Sequence, residues 1–343
     1  MIKDFWASKK VLVTGANGFI GSWLTEALVN NGANVTAFVK KGDIIGTESI
    51  KHLKDKIRII YGDIRDAKSV TNAVRGKDVI FHLAAITQVL YSIKNPKETI
   101  DINVCGTFNI LEAIRRNNYE QFLVFTSTDK VYGEPKYNPI DEEHPLSSKS
   151  PYDASKLAAD RLVHSYHVSY HLKSSIVRWS NTYGGRDSNI LRAVPDFVVS
   201  LLNGRPPVIR GDGNHVRDYV YVDDAVSGIL CTAEKQKIST GHTFNLGTER
   251  PVSVRELAKL IIKIFGLSGK IRPVVLRRNV PGEIRTQYLS AKKARKMLGW
   301  KPKTNLEEGL QKTISWYKNN PAWQKVVKRN SRFYAKTLKN AIV

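Results

Sequence analysis

The chain has 343 residues, 54 Lys and Arg against 31 Asp and Glu, and a formal net charge of +23. At 42% hydrophobic and 25% charged residues it is composed like a folded globular protein, which excludes a disordered or low-complexity chain. Two cysteines, Cys105 and Cys231, exclude a disulfide scaffold, and no run reaches the ~18 apolar residues of a membrane span, so a cytoplasmic protein without a membrane span is expected.

In chain order, the opening MIKDFWASKK lacks the apolar core of a signal peptide. Val11–Val13 predicts a strand and Gly21–Asn30 a helix. Strands follow at Asn34–Val39, Ile57–Tyr61, Val79–Leu83 and Phe122–Phe125, with a helical stretch over Ile102–Arg116. Strand, helix, strand at this spacing predicts βαβ units, hence an α/β fold with a doubly wound parallel sheet of Rossmann type. From Asn181 glycines and prolines punctuate the chain (Gly184-Gly185, Pro195, Pro206-Pro207, Gly211, Gly213, Pro273, Pro281), the texture of a smaller α/β substrate-binding lobe. The expected division is a dinucleotide-binding domain over 1–180, a lobe over 181–320 with residues near 215–235 returning to the core, and a basic amphipathic helix over 321–343. That last helix carries Trp323, Val326, Val327, Phe333, Tyr334 and Leu338 on one face, with Lys325, Lys328, Arg329, Arg332, Lys336 and Lys339. Elsewhere the cations are spread along the chain rather than gathered, which favours an anionic small substrate over a nucleic acid.

Three stretches carry chemistry. Gly15-Ala-Asn17-Gly18-Phe19-Ile20-Gly21 follows the first strand and opens a helix. Glycine is needed where the turn is tight and where backbone approaches a pyrophosphate, and the helix N-terminus offers free N–H groups. At the end of the second strand, where NAD binders usually place a carboxylate, stand Lys40 and Lys41; two cations suit the 2′-phosphate of NADP, with NAD as the alternative. Tyr152 and Lys156 lie one helical turn apart, where the ammonium is expected to lower the phenol pKa and make Tyr152 a base. Thr126-Ser-Thr128-Asp129-Lys130 places a hydroxyl, a carboxyl and an amine in succession at the end of the fifth strand, where open α/β sheets hold their sites. Arg217 and Arg285 are candidates for a diphosphate, since a guanidinium fork matches phosphate oxygens. Asp223-Asp224 precedes a helical run and is expected to cap it; His82 is expected to be structural, and no cluster has metal-ligand spacing.

From about Phe5 to Tyr317 the chain resembles the extended short-chain dehydrogenase/reductase family that acts on nucleotide sugars. The resemblance is carried by the GxxGxxG loop, Gly62-Asp63-Ile64-Arg65-Asp66, His82-Leu83-Ala84-Ala85, Asn103 before Gly106-Thr107, YxxxK, Arg178-Trp-Ser-Asn181-Thr-Tyr-Gly184 and Leu298-Gly-Trp300-Lys-Pro302. It implies cofactor contacts at Asp63, Ile64, Leu83, Ala84, Ala85, Asn103, Tyr152 and Lys156, and substrate contacts at Asn181 and Arg192. Phe5-Trp6, Gly21-Ser-Trp23-Leu24, Thr128-Asp129-Lys130 and Gly184-Gly185 with Arg192…Pro195-Asp196 look most like CDP-glucose 4,6-dehydratases, whereas Arg217-Asp-Tyr-Val-Tyr-Val-Asp223-Asp224 looks like the epimerases and dTDP-glucose dehydratases. The implied reaction turns a nucleotide-diphosphate hexose into its 4-keto-6-deoxy form, with a tightly bound, recycled cofactor. In it Tyr152 and Thr128 act at C4, Lys130 at C5 and Asp129 at C6. The alternatives are a 4-epimerase, which needs no Asp–Lys pair, and a non-catalytic dinucleotide sensor. The resemblance also implies a homo-oligomer, as a dimer through two helices or a tetramer.

Overall fold

The computed structural model describes residues 3–42, 48–117, 121–276 and 284–327. Its centre is a seven-stranded sheet built from β1 (Lys10–Thr14), β2 (Asn34–Val39), β3 (Arg58–Tyr61), β4 (Val79–His82), β5 (Phe122–Thr126), β6 (Ser174–Trp179) and β11 (Thr243–Leu246), in the order β11-β6-β5-β4-β1-β2-β3. Every pairing is parallel. β5 is buried along its whole length, as a strand covered on both faces must be.

Alternation along the strands divides the core in two. Leu12, Ile80, Leu123, Phe125 and Ile176 face one side, against Ile110, Leu111 and Ile114 of helix α1 (Gly106–Arg116) and Ala159 and Val163 of helix α2 (Pro151–Tyr170). Val11, Val13, Phe81, Val124 and Val177 face the other, against Leu24 and Leu28 of the helix Phe19–Asn30 and Ile229 and Leu230 of the helix Val222–Glu234.

The first five strands and the glycine-rich connection lie where the sequence predicts them, within a residue or two. β6 and β11 have no counterpart in that reading, because polar residues interrupt their apolar runs. Arg178 in β6 is only 2% exposed; its guanidinium grips Asp160 through two hydrogen bonds of 2.9 and 2.8 Å and donates a third to the Tyr132 hydroxyl. Asn245 in β11 accepts from the same hydroxyl at 2.7 Å. Buried charge is tolerated there because each guanidinium nitrogen has an acceptor and Asp160 supplies the opposite charge.

The lobe beyond the sheet is made of short pairs: β7 (Asn181–Tyr183) with β10 (Tyr219–Tyr221), β8 (Val208–Ile209) with β13 (Val274–Val275), and β9 (Val216–Arg217) between β12 (Val252–Ser253) and β14 (Thr286–Gln287). One expectation needs correction here. Asp224 does not cap its own helix, whose N-cap is Tyr221; its carboxylate accepts the N–H groups of Lys303 and Thr304 at 2.9 Å each, stapling the segment before the helix Leu306–Asn319. Residues 321–327 are helical, with Trp323 and Val327 buried and Trp323 edge-on to Trp316, so this part of the tail packs on the body. Lys328, Arg329, Arg332, Phe333, Tyr334, Lys336, Leu338 and Lys339 lie outside the described residues. No described helix is long and apolar enough to cross a membrane.

Candidate active site

The strand order reverses between β1 and β4, and the crevice beyond their C-terminal ends is where a doubly wound sheet binds its ligand. Gly15 turns there with φ +66°, and a Cβ on it would stand 2.8 Å from the Ala84 nitrogen. A Cβ on Gly21 would meet the Gly15 carbonyl at 2.1 Å, so only glycine lets the helix Phe19–Asn30 pack this closely. That helix begins at Gly18 with no side-chain cap and no acid in its first turn. Its N-terminal dipole is therefore left for an anion. The Thr14 hydroxyl accepts from both Leu83 and Ala84 N–H at 3.2 Å, tying the two strand ends together. His82 completes this joint as a structural residue: Thr107 donates to the Asn103 carbonyl, so it must accept from His82 Nε2, leaving Nδ1 to take the Thr14 proton at 2.7 Å. Burial pushes this imidazole down to about 3.

Asn103 sits in a π-turn, Asp101–Cys105, that runs into α1. Its amide accepts from Ile86 N–H and donates to the Ile86 carbonyl and the Ser155 hydroxyl, clamping the segment after β4 onto α2. Asp63 is bound to Arg65 at 2.6 Å, which holds its carboxyl down at about 2, and Ile64 is buried beneath Gly106. Lys40 and Lys41 are exposed beyond β2, Lys40 lying 3.8 Å from Glu98. Glycine turn, uncapped helix and exposed cations fit a nicotinamide dinucleotide with its pyrophosphate on the helix N-terminus.

The catalytic candidates converge from two elements. Helix α2 starts with a capping box, Ser150 and Asp153 exchanging hydrogen bonds, with Pro151 in the first turn. That cap sets the helix phase, and with it the face carrying Tyr152 and Lys156, both buried. The expected charge effect of Lys156 on Tyr152 is corrected by the structure. The Lys156 amine donates to the Thr126 carbonyl at 2.6 Å and lies over the Phe125 ring, and burial lowers it to about 8. Burial pushes the Tyr152 phenol up to about 12, opposed by the Thr128 hydroxyl and the charge of Arg192 rather than by Lys156. Thr128 caps the short turn Asp129–Tyr132 and donates to the Asp129 carboxylate at 3.1 Å. The Lys130 amine stands 3.5 Å from the same carboxylate, with side chains 24% and 5% exposed for Lys130 and Asp129. Both therefore face inward. Burial pulls Lys130 below the ordinary lysine value.

The lobe residues divide. Arg192 pairs with Asp187 at 3.0 Å, lies 5.8 Å from the Phe19 ring, and so reaches the dinucleotide cradle. Asn181 keeps a buried side-chain nitrogen without a hydrogen-bond partner. Arg217 is nine-tenths buried, but its guanidinium donates to the carbonyls of Val216, Ile284 and Arg285. Arg285 lies farther out: its side chain is 69% exposed and 3.7 Å from Asp212. Gln287 is the residue sequence reasoning missed. It is fully buried against Lys130, and no motif around it signals this.

Comparison with known proteins agrees with this geometry. The family model for GDP-mannose 4,6 dehydratase matches residues 12–313. A dTDP-glucose 4,6-dehydratase of Mycolicibacterium smegmatis is 34% identical, covering 93% of this chain and 96% of its own. A Methanocaldococcus jannaschii protein provisionally named a UDP-glucose 4-epimerase is 36% identical, over 90% of this chain and 99% of its own. The crystal structure of a dTDP-glucose 4,6-dehydratase from Streptomyces venezuelae, with NAD and TYD bound, superposes with a TM-score of 0.84 at 29% identity, covering 93% of this chain and 99% of that one.

Proposed function

Because the chain belongs to the GDP-mannose 4,6 dehydratase family, within the extended short-chain dehydrogenases/reductases that act on nucleotide sugars, we propose that it is a nucleotide-diphosphate-hexose 4,6-dehydratase. The observation that carries this reading is the inward-facing Asp129–Lys130 pair, which directly follows Thr128 and lies close enough to Tyr152 for its charge to act there. Tyr152 takes the C4 hydroxyl proton while Thr128 hydrogen-bonds that oxygen. Gly15–Gly21, Asn103 and Lys156 would hold a nicotinamide dinucleotide, which when bound would supply a reversible hydride acceptor for the sugar. The 4-keto group acidifies the C5 proton, which Lys130 removes as a neutral amine. Asp129, protonated, gives its proton to the C6 hydroxyl as the C6–O bond breaks and water leaves. Burial favours the uncharged form of the amine this step needs. Run in heavy water, the reaction should place solvent deuterium at C5; product without it would contradict the assignment to Lys130.

A 4-epimerase is the second reading, favoured by the Methanocaldococcus relative. An epimerase needs Thr128, Tyr152, Lys156 and the cofactor, and has no work for a buried amine next to a carboxyl. For the cofactor, Lys40 and Lys41 support NADP over NAD, since no carboxylate occupies the end of β2. Tighter binding of NAD than of NADP would overturn that preference. The substrate contacts fall to Asn181, Arg192 and Arg217, the last keeping its bonds to the backbone carbonyls and offering its remaining N–H groups. We also propose a homo-oligomer through α1 and α2, which expose Phe108 and Tyr170 on either side of the Tyr166 ring.

A further inference from the structure

Gln287 lies 157 residues from Lys130 in the chain, on the short lobe strand β14. Parallel pairing with β9 sets Gln287 opposite Arg217, and Arg217 in turn holds the approach to β14 by donating to the Ile284 and Arg285 carbonyls. Past β14 the chain is tied to the other side of the site: Ile140 N–H donates to the Tyr288 carbonyl and Ser290 N–H to the Ile140 carbonyl. The strand is thus fixed at both ends, and the Gln287 side chain, with no exposed surface, enters the catalytic turn.

Its orientation follows from its partners. Nε2 donates to the Asp129 carbonyl at 2.9 Å and to the Gly133 carbonyl at 3.5 Å, and a carbonyl can only accept. The nitrogen end is thereby assigned, and Oε1 must face the Lys130 amine, 2.5 Å away. The charged groups around that amine come from three elements: Asp129 on its own turn, Arg217 on β9 and Asp153 on α2. Gln287 adds the nearest acceptor of all without adding charge.

We propose that Gln287 is a positioning residue for the elimination, a neutral acceptor that fixes one N–H of Lys130 and so aims the amine lone pair at the sugar. A glutamate at this position would hold the amine as an ammonium, and an aliphatic side chain would leave a buried amine without its partner. The inference rests on the dehydratase reading above. In the step it serves, the C5–H bond breaks and an N–H bond forms on Lys130. The C–H electron pair becomes the C5–C6 double bond, and the departing C6 oxygen leaves as water with the proton of Asp129.

The test compares wild type with Gln287→Glu and Gln287→Met, using the isotope-labelled lysine Cε resonance of Lys130 and the pH–rate profile of water loss. Lys130→Arg assigns the resonance. In Gln287→Glu the Lys130 titration should move up by roughly 1–3 pH units, and the pH limb of water loss should move with it, while C4 oxidation stays put. Gln287→Met should lose about tenfold or more in kcat for water loss at unchanged KM, with no upward shift of Lys130. A Lys130 midpoint identical in wild type and Gln287→Glu would overturn the proposal. So would an equal fall of C4 oxidation and water loss in both variants, the mark of a merely structural residue. If Lys130 shifts as expected but the wild type releases no water from any nucleotide sugar, the dehydratase reading fails and the catalytic purpose of the contact falls with it.

Discussion

Tyr152 and Lys130 share the problem of burial but answer it in opposite senses. Desolvation disfavours the charged form of each, which leaves the phenol protonated and brings the amine toward its neutral state. The amine is thus suited to take a proton and the phenol needs positive charge nearby, which Arg192 begins to supply. Two sets of variants separate their duties. Asp129→Asn and Lys130→Ala should each lose about 10²–10⁴-fold in water loss while the first C4 oxidation, read as reduced cofactor in a single turnover, persists. Tyr152→Phe should lose C4 oxidation and water loss together. Retention of water loss at the native rate in Lys130→Ala would remove the amine from the mechanism. The sequence made this triplet legible because three different proton-handling groups stand in succession at a strand end. It did not make Gln287 legible, since the contact with Lys130 depends on the register of β14 with β9, and residue spacing contains no information about a pairing across 157 positions.

At the scale of elements, the glycine-rich connection and the joint between β1 and β4 carry the cradle. Gly21→Ala would drive a Cβ into the Gly15 carbonyl, so the helix must retreat. The expected result is a loss of about 1–3 kcal/mol in stability together with weaker dinucleotide binding, measured by denaturant unfolding and by cofactor titration. Unchanged cofactor affinity would mean that the helix can shift without cost. His82 links the joint to pH. Its folded value of about 3 lies below the ordinary 6.5, so below pH 6.5 the unfolded chain takes up a proton that the fold refuses. Its contribution is complete above pH 6.5 and is lost as the pH falls toward 3, with a slope of up to about 1.4 kcal/mol per pH unit. His82→Gln should flatten that part of the stability profile; an unaltered slope would show that other groups set it. The strands read correctly from the sequence are those with unbroken apolar runs. β6 and β11 escaped because Arg178 and Asn245 are buried in them, and nothing local announces that Asp160 and Tyr132 will satisfy both.

For the whole molecule, the catalytic turn is completed from outside the seven-stranded sheet. Asp129, Lys130 and Tyr152 belong to the sheet and α2, while Arg192, Arg217 and Gln287 reach them from the lobe. The apolar residues on α1 and α2 carry a prediction of their own. Phe108→Glu places a charge on the face it forms with Tyr166 and Tyr170, and light scattering should find a smaller species than wild type. An unchanged mass would place any subunit contact elsewhere. The central claim, that a transient oxidation at C4 is used to expel water across C5 and C6, is tested most directly by mass spectrometry of a panel of nucleotide-diphosphate hexoses incubated with the protein. The account predicts that at least one of them becomes lighter by the mass of one water with no net consumption of cofactor. A product of unchanged mass and inverted C4 configuration would contradict it.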